Sequence, residues 1–346
     1  MKVLITGGAG FLGLHAAHCF SDKGWDVVLE DIAPYEKQEY QPGTVFVTHD
    51  VRDRPGFDAM LKEHKPDVIV HAAAALPLWK PEDIFSTNVE GTRNCLDAAL
   101  ASGVPRVIFI SSTSVYGIPD HHPLFETDKV QGVGNYGISK IQGEEICLKY
   151  RDKLCVPIVR PKSFIGSYRL GVFAILYDWV ENGKRIPMIG NGKNRYQLLE
   201  VDDLAEAIFL AATLDPKKVN DTFNIGAEKF TTVRQDMQAM CDFAGNGARP
   251  MGTWAAPIKA LLALFEALHL SPLYKWIYGT ADQDSFVSID KAKSVLGWQP
   301  RYSNADALIR SYQWYLDHKH EIAKGTGVTH RIAWNQGILR FFKKFM

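Results

Sequence analysis

"MKVLITGGAGFLG", residues 1–13, is an apolar run that ends in a cluster of glycines and then turns apolar again. The run Lys2 to Thr6 reads as a buried strand, and "FLGLHAAHCFSDKG" after the glycines reads as a helix, so the glycines occupy a strand-to-helix turn. In that context Gly7, Gly10 and Gly13 permit a tight turn, close backbone approach to a pyrophosphate and close helix packing, while the helix N-terminus favours negative charge. Gly8 offers an alternative GxGxxG spacing, and Phe11 and Leu12 at the helix start count with the loop as contacts of a dinucleotide.

The pattern repeats outward from this loop. "DVVLED", "VFVTHD", "DVIVHAA", "RVIFISS" and "VPIVRP" read as further strands, separated by helical segments such as "RPGFDAMLKEH" and "NVEGTRNCLDAALASG". Near-continuous Val/Ile runs alternating with helices predict an α/β fold: a doubly wound (Rossmann) parallel sheet, with its ligand at the carboxyl ends of the strands. After Pro161 the alternation becomes irregular, which predicts a smaller, mostly helical C-terminal substrate domain. "YQLLEV" and "DTFNIG" are expected to return to the sheet. The expected division is residues 1–163 plus about 196–226 for the cofactor domain, about 164–195 plus 227–320 for the substrate domain, and 321–346 as a tail.

The second strand ends at Asp31, 18 residues beyond Gly13. An acid about 20 residues on meets the adenosine ribose of a dinucleotide and repels a 2′-phosphate, so the cofactor expected is NAD. Glu30 is the competing acid, assigned by strand alternation to a neighbouring role. Asp50, with the Val51 backbone, is placed to meet the adenine, or else Asp50 caps the helix that follows.

Hydride chemistry at an alcohol carbon needs a base for the hydroxyl proton, and a free tyrosine with a pKa of about 10 is a poor one near neutrality. "NYGISK", residues 135–140, sets Tyr136 and Lys140 on one helix face, where an ammonium would favour the phenolate and could reach ribose hydroxyls. "FISSTSVYG" supplies the hydroxyls of Ser111 to Ser114 at a strand end.

Together "TGGAGFLG", Asp31, "HDVRD", "HAAA", "STNVEGT", "SSTSVYG", "YGISK" and "RPKSFIG" resemble the extended short-chain dehydrogenases/reductases, the NAD-dependent epimerase/dehydratase family. Weaker echoes in "VDDLAEAI", "FNIG" and "DKAKSVLGW" carry the resemblance to about residue 315. It implies Tyr136 as catalytic base, Lys140 as its modulator and a ribose ligand, and Ser112 as the residue orienting the reacting hydroxyl. It also implies that Ala72, Ala73, Ala74, Asn88 and Ser111 line the dinucleotide, and that Pro161 and Ser163 lie near the nicotinamide amide.

The expected activity is hydride transfer at a secondary alcohol carbon of a hydroxylated ring, sugar-like or sterol-like, with a nucleotide-sugar 4-epimerase as the alternative and a non-catalytic NAD-binding sensor or scaffold as the rival class. Dehydratases of the family carry an acidic pair where this chain has Thr113 and Ser114, which disfavours elimination. Nucleotide-sugar members carry asparagine, arginine and arginine where this chain has Ser163, Tyr196 and approximately Ala281; Arg195 and Arg169 offer a shifted approach. The apolar stretch from Trp254 to Tyr278 is either substrate-facing, as in the resembling 3β-hydroxysteroid group, or a small-domain core built on Leu261, Leu262, Phe265 and Leu268.

Lysine plus arginine and aspartate plus glutamate number 39 each, which gives no electrostatic footprint for nucleic acid. Five scattered cysteines without a CxxC pair suit reduced thiols better than a disulfide framework, point away from a metal centre and fit a cytoplasmic protein, as does a strand-like start without a secretory signal. Charges and prolines interrupt the longest apolar stretch, so no transmembrane span is expected. "GILRFFKKFM" at the basic end reads as a short amphipathic helix, for peripheral membrane contact or for packing on the protein itself. A homodimer is a family expectation.

Overall fold

The computed structural model describes residues 1–267, 275–320 and 331. Seven parallel strands form the central sheet: β1 (Lys2–Thr6), β2 (Asp26–Asp31), β3 (Val45–Thr48), β4 (Val68–His71), β5 (Val107–Ile110), β6 (Ile158–Pro161) and β10 (Thr222–Ile225). Their order, β10-β6-β5-β4-β1-β2-β3, reverses direction between β1 and β4, the place where a doubly wound sheet opens a crevice.

Side-chain alternation explains why both faces of these strands are apolar. Val3 and Ile5, Val27 and Leu29, and Val68 and Val70 face one core with Leu14 and Leu204, from the helices Phe11–Asp22 and Val201–Thr213. Leu4, Val28 and Ile69 face the other, with Phe57, Leu96 and Cys147 from the helices Arg54–His64, Gly91–Ser102 and Gly134–Tyr150. Neither face is left for solvent, as a parallel sheet requires.

The sequence expectation of two returning strands is met by one of them. "DTFNIG" supplies β10, which pairs with β6 in register Thr222 with Ile158. "YQLLEV" supplies only β9 (Leu199–Glu200), which pairs with β7 (Phe164–Ile165) in a separate small sheet. The strand is cut short because Glu200 caps the next helix, its carboxylate accepting from the Asp202 amide. A further pair, β8 (Arg185–Met188) with β11 (Arg249–Gly252), edges a third core of Tyr177, Trp179, Met240 and Tyr312.

The apolar stretch forms the helix Ala255–Ala267. Leu262 is buried and Leu261 and Phe265 are half-buried, while Leu264 is exposed and Leu268 lies outside the described residues. Apart from Arg331, the tail also lies outside them. Among the described residues no helix is long and apolar enough to cross a membrane.

Two buried polar systems hold the ends of the central strands. Arg160 on β6 forms a salt bridge with Glu144 on the helix Gly134–Tyr150 at 2.6 Å, and its guanidinium also donates to the Tyr116 hydroxyl and the Glu126 carbonyl. On β4, the Ala73 amide donates to Thr6 Oγ1, which lies 2.8 Å from His71 Nδ1; His71 Nε2 lies 3.1 Å from Thr92 Oγ1, which donates to the Asn88 carbonyl. This order of donors requires a neutral His71 protonated on Nε2.

Two stability outcomes follow from these systems. Glu144→Ala strands the Arg160 charge in the interior and is expected to cost about 3–5 kcal/mol in urea unfolding. Burial, reinforced by the Lys140 charge, pushes the His71 pKa down from 6.5 to about 3. The unfolded chain then binds the proton that the folded chain refuses, so this contribution is intact above the unfolded value and is lost as pH falls from there toward the folded one. Near pH 5 unfolding should take up about one proton more in wild type than in His71→Gln, read from the pH dependence of the unfolding free energy.

Candidate active site

A cavity of about 1120 Å³ opens at the carboxyl ends of the central strands, lined by the glycine turn, the end of β2, residues 72–75 and the Tyr136–Lys140 helix face. The turn leaves no space for side chains. A β-carbon on Gly13 would sit 2.3 Å from the Gly7 carbonyl oxygen, and one on Gly7, whose φ is +71°, would sit 2.9 Å from the Ala73 backbone. The helix Phe11–Asp22 therefore starts directly over the end of β1, its first amides facing the cavity. Phe11 is buried and stacks on Phe164 at 5.6 Å, and Leu12 also lines the wall.

Asp31 stands at the tip of β2 and accepts from the Ala9 amide at 3.0 Å and the Ala33 amide at 2.9 Å. Burial raises its pKa, and these amides oppose the rise. Glu30 is the more enclosed of the two acids, at 1% exposure, and reaches His49 Nδ1 at 3.3 Å. Burial lifts its pKa to about 7. Alternation thus separates a buried Glu30 from an Asp31 that retains access to the cavity.

Asp50 and Val51 line the same end, with the Asp50 carboxylate gripped by Arg52 at 2.6 Å. The helix after them is capped from Asp53, so Asp50 does not serve as its cap. Ala72, Ala73 and Ala74 form the opposite wall. Asn88, 1% exposed within a turn of wider, π-type helix, stands behind that wall. Its side-chain oxygen accepts from the Ala75 amide at 2.8 Å and its amide donates to the Ala75 carbonyl and to Ser139 Oγ.

At the other end Ser111 lines the cavity and donates to Glu144 at 2.5 Å. Burial raises the Tyr136 pKa and Ser112 draws it down, and Ser112 Oγ accepts from the Ser114 amide at 3.1 Å. Lys140 Nζ donates to the Ile110 carbonyl at 2.9 Å and lies 5.8 Å from the Tyr136 ring centre. The sequence expectation that Lys140 favours the phenolate is not the dominant effect: burial pushes Tyr136 up to about 12, against the pull of Ser112, and pushes Lys140 down to about 8. The lysine is fixed to a backbone carbonyl on the sheet, and desolvation outweighs its charge.

Pro161 and Ser163 stand one layer back from the cavity. The Pro161 carbonyl accepts from Thr113 Oγ1, and the Ser163 hydroxyl is bonded to Tyr196. Arg195 is committed to Asp284 at 3.6 Å and to the Phe286 ring, while Arg169 is buried between Phe11 and Phe173. None of the described residues of the helix Ala255–Ala267 lines the cavity.

Some wall residues had no local signal in the sequence. Tyr168 and Trp314 pack at 4.7 Å, and His318 stacks on Trp314. Arg331 donates to the Ala9 carbonyl at 3.0 Å and pairs with Glu39. They reach the site from distant parts of the chain, and only folding brings them there.

The donor set fits NAD: a strand-to-helix turn stripped to glycine for a pyrophosphate, and a carboxylate at the end of β2 for a ribose diol. Among the described residues no group of histidine, cysteine and acidic side chains could hold a metal ion.

Comparison with known proteins agrees with this geometry. Residues 3–226 match the sequence model of the NAD dependent epimerase/dehydratase family. The chain is 35% identical to the "Uncharacterized protein y4nG" of Sinorhizobium fredii, over 97% of this chain and 84% of that protein. It is 27% identical to the UDP-glucose 4-epimerase of Rhizobium meliloti, over 91% of this chain and 97% of the relative. Among solved structures, a UDP-glucose 4-epimerase of Thermotoga maritima with UDP-glucose superimposes with a TM-score of 0.77 at 23% identity, covering 92% of this chain and 100% of that one. The Bordetella bronchiseptica enzyme WbmG in complex with NAD gives 0.75 at 22% identity, covering 96% and 97%. With a family match over most of its length, a relative above 30% identity across nearly the whole chain, and a glycine turn, an acid and the Tyr136–Lys140 pair around one cavity, this chain belongs to the NAD-dependent epimerase/dehydratase family.

Proposed function

We propose that the protein is an NAD-dependent sugar-nucleotide epimerase that oxidises a secondary alcohol and returns the hydride to the other face of the same carbon. The observation that carries this reading is that Tyr136 and Lys140 stand together on the wall of the cofactor cavity, with Ser112 acting on the Tyr136 hydroxyl. The similarity to UDP-glucose 4-epimerases over nearly the whole chain supports the choice of substrate class. The absence of a carboxylate at Thr113 and Ser114 supports re-reduction over elimination.

NAD, when bound, supplies the hydride acceptor. The protein's own groups do the rest. Gly7, Gly10, Gly13 and the helix start receive the pyrophosphate; Phe11 and Leu12 pack beside it; Asp31 takes the ribose diol; Asp50 and Val51 flank the adenine. Ala72 to Ala74 and Ser111 form the inner wall, Asn88 fixes it from behind, and Pro161 and Ser163 close the nicotinamide end. Ser112 holds the substrate hydroxyl oxygen, and Tyr136 Oη takes its proton as the carbon loses hydride. Lys140 keeps a positive charge near that oxygen while its ammonium stays bonded to Ile110.

The same reading assigns residues 1–163 with about 196–226 to the cofactor and about 164–195 with 227–320 to the substrate, supported by the return of β10 to the sheet and by the separate core around Tyr177. A cytoplasmic site of action is supported by five free cysteines, and a homodimer by the family resemblance. Peripheral membrane contact through the tail rests on its basic, aromatic sequence.

Tyr136→Phe is expected to lower turnover by about 10²–10⁴-fold while bound NAD is retained, measured on a panel of UDP-sugars with product analysis and cofactor absorbance. Full turnover in that variant would remove Tyr136 as the base. Asp31→Ser should narrow the preference for NAD over NADP, because the carboxylate that repels a 2′-phosphate is gone; an unchanged ratio of affinities for the two cofactors would place the discrimination elsewhere.

A further inference from the structure

Lys162 follows Pro161 at the end of β6 and is 4% exposed. Its Nζ donates to Ser285 Oγ at 2.7 Å and lies 4.8 Å from the ring centre of Tyr196. These partners are neutral, and no carboxylate pairs with the ammonium among the described residues. Other buried cations are provided for differently. Arg160 has Glu144, Arg106 has backbone carbonyls of Ala211 and Leu214, and Lys140 has the Ile110 carbonyl and the field of nearby Glu144. Burial lowers the Lys162 pKa to about 7, with no neighbouring charge opposing the fall. With Ser285 Oγ as its hydrogen-bond partner and the Tyr196 ring beside it, the buried amine loses much of its charge near neutrality, and an anion arriving beside it would restore that charge.

The position says where that anion would come from. Lys162 borders a small cavity of about 20 Å³, shared with Thr113, Tyr116, Thr280 and Ser285. Thr113, whose Oγ1 donates to the Pro161 carbonyl, directly follows Ser112, so on the proposed function this cavity lies one residue along the chain from the group that orients the reacting hydroxyl. Asp284 borders it too, but its carboxylate accepts from the Arg195 amide at 2.7 Å and pairs with the Arg195 guanidinium. Tyr196 is fixed by Ser163.

We propose that Lys162, with Ser285 and the Tyr196–Ser163 pair, forms an anion subsite beside the reacting carbon, and that the sugar carried by the substrate is an acid bearing a carboxylate. A single buried amine beside one serine hydroxyl suits a compact monoanion. A phosphoryl group is matched by a guanidinium fork, and Arg195, the sequence neighbour of Tyr196, is engaged with Asp284 and the Phe286 ring. The inference rests on the sugar-nucleotide reading for the remainder of the substrate, and the probes are chosen to separate the two.

The full chain with its bound cofactor, as wild type, Lys162→Met and Lys162→Gln, is titrated calorimetrically with UDP-glucuronate, UDP-glucose, free glucuronate and free glucose. Wild type is expected to take the acid of at least one pair about tenfold more tightly than its neutral counterpart. Both variants should lose that preference while keeping the affinity of wild type for UDP-glucose, an effect that a merely structural lysine would not produce. Wild type without acid preference in either pair, or a preference that survives in either variant, overturns the subsite. If neither UDP-sugar binds but free glucuronate retains a preference dependent on Lys162, the sugar-nucleotide reading falls and the subsite stands.

Discussion

The close approach of backbone to backbone at Gly7 and Gly13 is the constraint on which the rest of the structure depends. With the Gly7 oxygen 2.3 Å from where a Gly13 β-carbon would be, the first helix can start only if that carbon is missing. The helix then lies flat across the sheet with Leu14 and Phe20 in the core, and its amides open onto the cavity. One steric condition therefore fixes both the packing of one sheet face and the location of the anion-receiving end.

The opposite end of the cavity is fixed by buried polar groups. Glu144 links Ser111 to Arg160, and Arg160 links onward to Tyr116, whose hydroxyl donates to Asn224 on β10. This chain crosses β5, β6 and β10, so the segment carrying Ser111 and Ser112 is tied to the sheet at several points. His71 does the same for residues 71–75 through Thr6 and Thr92. In an interior of low dielectric such networks are rigid when every member is satisfied, which is what a hydride-transfer site needs from its walls.

Burial also sets the electrostatics of the site. Tyr136 and Lys140 are each pushed toward neutrality, to about 12 and about 8. Tyr136 thus sits in a desolvated pocket, where a new charge acts at full strength and water competes little. Lys162 is buried in the same way, with Ser285 Oγ as its hydrogen-bond partner and the Tyr196 ring beside it.

Much of this was legible in the chain. Alternating strand and helix patterns, the glycine turn, Asp31 at the end of β2 and the Tyr136–Lys140 spacing are local features, set by strand and helix periods and by the steric needs of a turn. Asp50 was ambiguous until the cap was seen to begin at Asp53, and "YQLLEV" read as a sheet strand because its side chains suit one, although Glu200 turns it into a helix start. The positions of Tyr168, Trp314 and Arg331 on the cavity wall, and of Asn88 behind it, had no local signature. By itself the sequence determined the doubly wound sheet, the strand-to-helix glycine turn and the placing of Tyr136 and Lys140 on one helix face, because those depend on periods and spacings within single elements. Only the tertiary structure decided which buried charges find partners, leaving Lys162 on a serine hydroxyl and Lys140 on a backbone carbonyl, because desolvation and pairing depend on groups that lie far apart along the chain.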